Sequence, residues 1–129
     1  MLVKSLKSFE KYLEEINMDN KTFLNKHWPG PYTFLIKYNE KLPSHLKNES
    51  GKIAIRVSNH LPIRNLFERC SGFIVSTSAN ISGEKNINDP NQIMNYFEYE
   101  EMAYYDEILG DNKSPSTIID LESRAIIRE

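Results

Sequence analysis

Residues 73–83 read FIVSTSANISG, a short apolar run that breaks into hydroxyls and an amide. Ser76, Thr77, Ser78 and Asn80 can all donate hydrogen bonds without carrying charge. Successive backbone N–H groups in such a turn form a nest for an anion. This chemistry suits phosphate or carboxylate oxygens. A helix cap or a serine turn uses the same residue types on nearby backbone, and the local pattern leaves both readings open.

Two further stretches carry polar chemistry at strand-like positions. Arg56 interrupts the apolar alternation of KIAIRV. A buried arginine needs an anionic partner, either a carboxylate of the protein or a ligand carboxylate or phosphate gripped by its fork. Ser114, Pro115, Ser116 and Thr117 lead into TIIDL, either as ligand contacts or as the plain start of a strand after a turn. Arg128, at the chain end, is by default a solvated charge. The chain contains no glycine-rich phosphate loop, Walker lysine or nucleophile elbow. His27, His45 and His60 lack metal-ligand spacing, so no metal site is expected and all three read as surface or structural. Cys70 adjoins Arg69 but lacks a clear basic neighbourhood, and reads as a packed or partly exposed thiol.

Elements must hold these residues in place. Phe9, Leu13 and Ile16 fall at i, i+4 and i+7, which predicts a helix from Ser8. Asp19 is the expected cap of a second helix carrying Phe23, Leu24 and Trp28, stopped by Pro29-Gly30-Pro31. Tyr32 to Ile36 reads as a strand, and Ile53, Ile55 and Val57 as another with one polar face. Pro62 opens a helix to about Cys70, Phe73 to Val75 is a strand, and Asp89-Pro90 caps a helix carrying Ile93, Met94 and Phe97. The acidic, aromatic run 97–107 reads as a helix end and an edge strand over Tyr104 to Ile108. Thr117 to Leu121 and Ala125 to Ile127 read as two final strands joined near Glu122 and Ser123. Interspersed helices and strands imply a layered α–β domain with a mixed sheet, whose sites gather at strand ends.

Composition limits the partners. The 129 residues fit one domain, and 40% hydrophobic content supplies a core. No run approaches the roughly 20 apolar residues of a membrane-spanning helix. The N-terminal stretch alternates charge with apolar residues, unlike a signal peptide. A single cysteine cannot form an internal disulfide, and a cytoplasmic location is expected. With 16 basic and 18 acidic residues the net charge is −2, so no global basic field draws the chain to nucleic acid.

The ordered set KHWPGPYTFLIK, KIAIRVSNHLPIRNL, FIVSTSANISGE, SPSTIIDL and AIIR resembles the YrdC/TsaC family of threonylcarbamoyl-AMP synthases over nearly all of residues 1–129. The resemblance implies an α+β (mixed α/β) fold: one YrdC-like domain over 1–129, a twisted mixed sheet with flanking helices around a concave, positively charged cleft. It implies a nucleotidyltransferase that joins L-threonine, bicarbonate and ATP into threonylcarbamoyl-AMP and pyrophosphate, for threonylcarbamoyladenosine modification of tRNA. By motif, Ser76, Ser78 and Asn80 would line the nucleotide, and Arg128 would reach it. Arg56 would pair with the threonine carboxylate, and Ser116 would sit near the same amino acid. No covalent nucleophile is implied, so positioning and electrostatics carry the chemistry. Mg²⁺ would arrive with ATP rather than in a protein cage.

The family's Pro-Thr-Glu-Thr-x-Tyr-Gly-Leu-like loop and Lys-x-Arg motif have no match here. The domain is therefore expected to be N-terminally truncated relative to the family. Three explanations follow: a fragment or misassigned start, a sheet completed by a second chain or a second copy, or a reduced paralogue that binds without catalysing. An alternative function is a non-catalytic, double-stranded RNA- or tRNA-binding or ribosome-associated module, aided by Lys37, Lys41, Lys47 and Lys52. Carbamoyl-adenylate chemistry of the hydrogenase-maturation type and a purely structural role complete the alternatives.

Overall fold

The computed structural model describes residues 1–80, 83, 84, 87, 89–97, 103, 105, 107 and 114–129. The chain forms two compact units, Met1–Val75 with Gly110–Glu129, and Ser76–Leu109.

The first unit is built on a four-stranded mixed sheet. Strand β2, Tyr32–Lys37, lies between β3, Lys52–Ile55, and β5, Thr117–Asp120. It runs antiparallel to β3 and parallel to β5. Strand β6, Ile126–Arg128, turns back antiparallel to β5 and forms the edge. A two-stranded ribbon joins β1, Leu2–Val3, to β4, Phe73–Ile74. Backbone bonds tie this ribbon to the sheet: Val3 N–H donates to Arg56 O at 3.1 Å, and Arg56 N–H donates to Met1 O at 2.9 Å. Helices α1 (Leu6–Phe9), α2 (Met18–His27) and α3 (Leu61–Arg69) flank the strands. The mixed sheet with flanking helices is the α+β architecture expected from the sequence.

Alternation along the strands sends one set of side chains into the core. Phe34, Ile36, Ile53, Ile55 and Ile119 join Val3, Phe9, Leu13, Leu24 and Leu121 in a single buried cluster. Phe23 and Trp28 of the α2 region meet Phe34 edge-on, with ring centroids at 5.7 and 5.3 Å. His27 packs among Phe23, Tyr32 and Phe34 and is bonded through Nδ1 to Phe23 O, a structural histidine.

Three expectations need correction. The predicted helix from Ser8 is not continuous. Ser5 and Ser8 form a reciprocal cap on the single turn α1, a 3₁₀ turn follows over Glu10–Tyr12, and Leu13 is already extended. Leu13 bridges Tyr38 instead, so Phe9, Leu13 and Ile16 reach the core without sharing one helix. The cap of α2 is Asn17, whose Oδ1 accepts from Asn20 N–H at 2.8 Å, and not Asp19. Strand β6 begins at Ile126, one residue later than expected, because Arg124 holds a left-handed backbone at φ 62° and ends the turn.

In the second unit, α4 spans Pro90–Tyr96, with Asp89 Oδ1 accepting from Asn91 N–H at 2.9 Å as the sequence predicts. The expected strand Tyr104 to Ile108 falls largely outside the described residues. No helix among the described residues is long and apolar enough to cross a membrane.

Candidate functional site

The strand registers define a second sheet face, turned away from the core. Residues paired across adjacent strands point to the same side. Leu35 pairs with Ala54 and with Asp120, Thr33 with Ile118, Lys37 with Lys52, and Ile118 with Arg128. None of Leu35, Ala54 and Ile118 belongs to the core cluster. Arg56 extends the alternation of β3 to the same side. This face therefore carries Arg56, Thr33, Ser116 and Arg128 toward one end. It carries Lys37, Lys52, Asp120 and Glu122 toward the other. Alanine, leucine and isoleucine side chains lie between, about 7 Å of strand separating alternate residues.

Arg56 is held by the segment that ends α2. Its Nε donates to Gly30 O at 3.1 Å, while Gly30 N–H donates to Val57 O at 2.9 Å. A Cβ at position 30 would lie 2.5 Å from His27 O, so the close pass of this loop under α2 admits only glycine. Partial burial pushes the Arg56 guanidinium below its ordinary pKa. Among the described residues no carboxylate ion-pairs with it, so the salt-bridge alternative finds no partner there.

Ser116 and Arg128 come together directly. Arg128 Nη2 donates to Ser116 O at 3.1 Å, so this exposed arginine is not simply a solvated charge. The Ser116 hydroxyl bonds the Thr33 hydroxyl at 2.7 Å. The sequence reading missed Thr33. The only signal available was its place inside the strand that follows WPGP, where a hydroxyl among Phe34, Leu35 and Ile36 is out of pattern.

The second unit holds the hydroxyl cluster. Ser76, Thr77 and Ser78 are exposed, and no hydrogen bond among the described residues engages their hydroxyls. None of the three hydroxyls makes a cap or serine-turn bond among the described residues, whereas the Asn80 amide does bond nearby backbone. Asn80 Nδ2 donates to Glu84 O at 2.9 Å, and Ala79 O accepts from Ile87 N–H at 2.9 Å.

At the other end of the sheet face, charge is internally consumed. Lys52 Nζ lies 2.5 Å from Asp120 Oδ2 and 3.7 Å from Glu122, and Lys37 Nζ lies 2.8 Å from Glu122 Oε1. Two of the four lysines considered for a polyanion are therefore paired with acids. Among the described residues no group of three or more His, Cys, Asp and Glu could hold a metal ion. Cys70 is an exposed free thiol. A separate groove of about 420 Å³, lined by Lys4, Ser5, Trp28, Ser58, Arg64 and Glu68 among others, includes none of the predicted site residues.

Comparison with known proteins places this geometry in a family. The model of the Sua5/YciO/YrdC domain, described as telomere recombination, matches residues 1–129. The threonylcarbamoyl-AMP synthase of Chromobacterium violaceum is 37% identical over 111 residues, covering 81% of this chain and 54% of that protein. The chain thus spans about half the length of that relative. A doubly substituted Sua5 from P. abyssi superposes with a TM-score of 0.81 at 25% identity, over 93% of this chain and 37% of that one. P. abyssi Sua5 complexed with L-threonine superposes with a TM-score of 0.69 at 24% identity, over 92% and 35% respectively. With a match along its whole length and the same fold, the chain belongs to the Sua5/YciO/YrdC family.

Proposed function

We propose that this chain acts in the synthesis of threonylcarbamoyl-AMP from L-threonine, bicarbonate and ATP, for threonylcarbamoyladenosine modification of tRNA. The observation that carries the reading is Arg56. It is a half-buried guanidinium on the sheet face opposite the core, without an ion-paired carboxylate among the described residues. Desolvating that charge is unfavourable unless an anion compensates it. In this reading the anion is the threonine carboxylate, and the Ser116 hydroxyl contacts the same amino acid. Arg128 contacts the nucleotide. The free hydroxyls of Ser76 and Ser78, with Asn80, receive nucleotide oxygens. Mg²⁺ enters with the ATP phosphates.

The chemistry asks for no protein nucleophile. The threonine nitrogen attacks the bicarbonate carbon, a C–O bond there breaks and the oxygen leaves as water with the amine proton, giving a carbamate. A carbamate oxygen then attacks the α-phosphorus of ATP. Pyrophosphate leaves with the electron pair of the broken P–O bond. The protein's contribution is to bring mutually repelling anions together and to hold fixed donors where charge develops. The curated relative's name and the threonine complex of P. abyssi Sua5 support the substrate assignment by kinship.

The test is release of pyrophosphate from ATP in an omission series. The reading expects release only when threonine, bicarbonate and ATP are all present. Release that is indifferent to threonine would contradict it.

A further inference from the structure

Thr33 and Ser116 form a hydroxyl pair whose proton count can be followed. The two Oγ atoms are 2.7 Å apart, and either could be the donor on distance alone. Each hydroxyl has one proton, and one O–H is used in the bond between them. The other proton needs an acceptor elsewhere. Thr33 is 9% exposed, and among the described residues Ser116 is the sole partner of its hydroxyl. If Ser116 donated to Thr33, the Thr33 proton would be buried without an acceptor, at a cost of about 1–3 kcal/mol. If Thr33 donates, the spare proton belongs to Ser116, which is only half-buried. The second arrangement is favoured. The Ser116 carbonyl also accepts from Arg128 Nη2 at 3.1 Å.

We infer that Thr33 is a positioning residue: its hydroxyl donates to Ser116 Oγ and turns the Ser116 O–H outward as a donor for the carboxylate of the bound amino acid. This rests on the reading above that Ser116 contacts the amino acid. Register pairs Thr33 with Ile118 of β5, and Arg56 follows Ile55, the partner of Phe34, on the opposite side of β2. One buried threonine therefore orients a neutral donor near the cationic one. A carboxylate gains two differently shaped contacts, and an uncharged amide in its place gains neither in full.

The experiment is calorimetric titration of the full 129-residue chain with L-threonine and with L-threoninamide. The chain is compared with Thr33→Val, which removes the hydroxyl at constant shape, and with Thr33→Ser, which restores it. Thr33→Val is expected to bind L-threonine roughly tenfold more weakly, as loss of one charge-assisted hydrogen bond implies. Thr33→Ser is expected within about twofold of the unsubstituted chain, since it keeps the donor. Threoninamide, whose carbonyl accepts only a weaker neutral bond, is expected to lose no more than about threefold in Thr33→Val and nothing in Thr33→Ser. Unchanged threonine affinity in Thr33→Val overturns the assignment alone. An equal loss for threoninamide also overturns it, because that is the signature of packing and not of a carboxylate donor. Absence of threonine binding by the unsubstituted chain overturns this inference together with the substrate reading. Thermal melts report folding, and if Thr33→Val does not fold, Thr33→Ala carries the same comparison.

Discussion

Lys52 Nζ sits 2.5 Å from Asp120 Oδ2 although the residues are 68 positions apart, and β2 runs between their strands. Asp120 also accepts from Ser123 N–H at 3.0 Å and Glu122 N–H at 3.1 Å through Oδ1. One carboxylate thus joins β3 to β5 and caps the turn into β6. The bond from Lys52, followed by that from the Ser123 backbone, holds its pKa down at about 2, below the ordinary 3.8.

A carboxyl with a depressed folded pKa stabilises the fold above its unfolded pKa and loses that contribution as protons bind. Stability is therefore expected to be level near neutrality and to fall by about 2 kcal/mol between about pH 4 and pH 2, at about 1.4 kcal/mol per pKa unit. Urea midpoints across this range measure it. Asp120→Asn is expected to lower stability by about 2–3 kcal/mol at neutral pH, because Lys52 loses its main partner, and to flatten the acid limb.

Arg124 supports the β5–β6 turn from a left-handed backbone. Its guanidinium donates to Leu121 O at 2.9 Å and Asn20 Oδ1 at 2.7 Å, pairs with Asp19 at 2.8 Å, and stacks 3.9 Å over the Phe23 ring. Asp19 is largely exposed, so that ion pair contributes little and the stack and neutral bonds dominate. Arg124→Ala is expected to cost about 2 kcal/mol in chemical denaturation. Arg124→Gly removes the same contacts but relieves the left-handed backbone, so it is expected to be less destabilising than alanine by about 1 kcal/mol.

Arg56 is where stability and binding should separate. Replacing a half-buried charge by a flexible apolar chain removes a desolvation cost. Arg56→Met is expected to leave the melting temperature unchanged or slightly raised while abolishing measurable threonine binding. A drop in melting temperature with binding retained would assign Arg56 to the scaffold.

The hydroxyls of the STSAN segment should be dispensable for folding. Ser76→Ala with Ser78→Ala is expected to change stability by less than about 0.5 kcal/mol, as exposed substitutions without partners do. ATP affinity is expected to fall, as read by calorimetry. Unchanged affinity would remove both serines from the nucleotide site.

Much of this was legible in the sequence. Strong punctuation fixed the elements around it: Pro29-Gly30-Pro31 before β2, Pro62 in α3 and Asp89-Pro90 in α4. Ile53 and Ile55 showed the buried side of β3 by alternation, and so placed Arg56 on the other side. The first helix misled because its i, i+4, i+7 spacing reflects three separate visits to the core, which a periodicity cannot distinguish from one helix. Asp19 misled because Asn17, two residues earlier, caps equally well and Arg124, far along the chain, claims Asp19. The pairs Thr33–Ser116 and Lys52–Asp120 were invisible, since strand order β3-β2-β5-β6 forms them and no local rule gives that order.

The proposed reaction requires threonine, bicarbonate and ATP to meet on this fold. The most direct measurement supplies carbon-labelled bicarbonate with threonine and ATP and follows the label by chromatography. Label is expected in a product that also contains threonine and AMP, formed only when all three reactants are present and lost in Arg56→Met. Pyrophosphate appearing with no label in any threonine-containing product would contradict it.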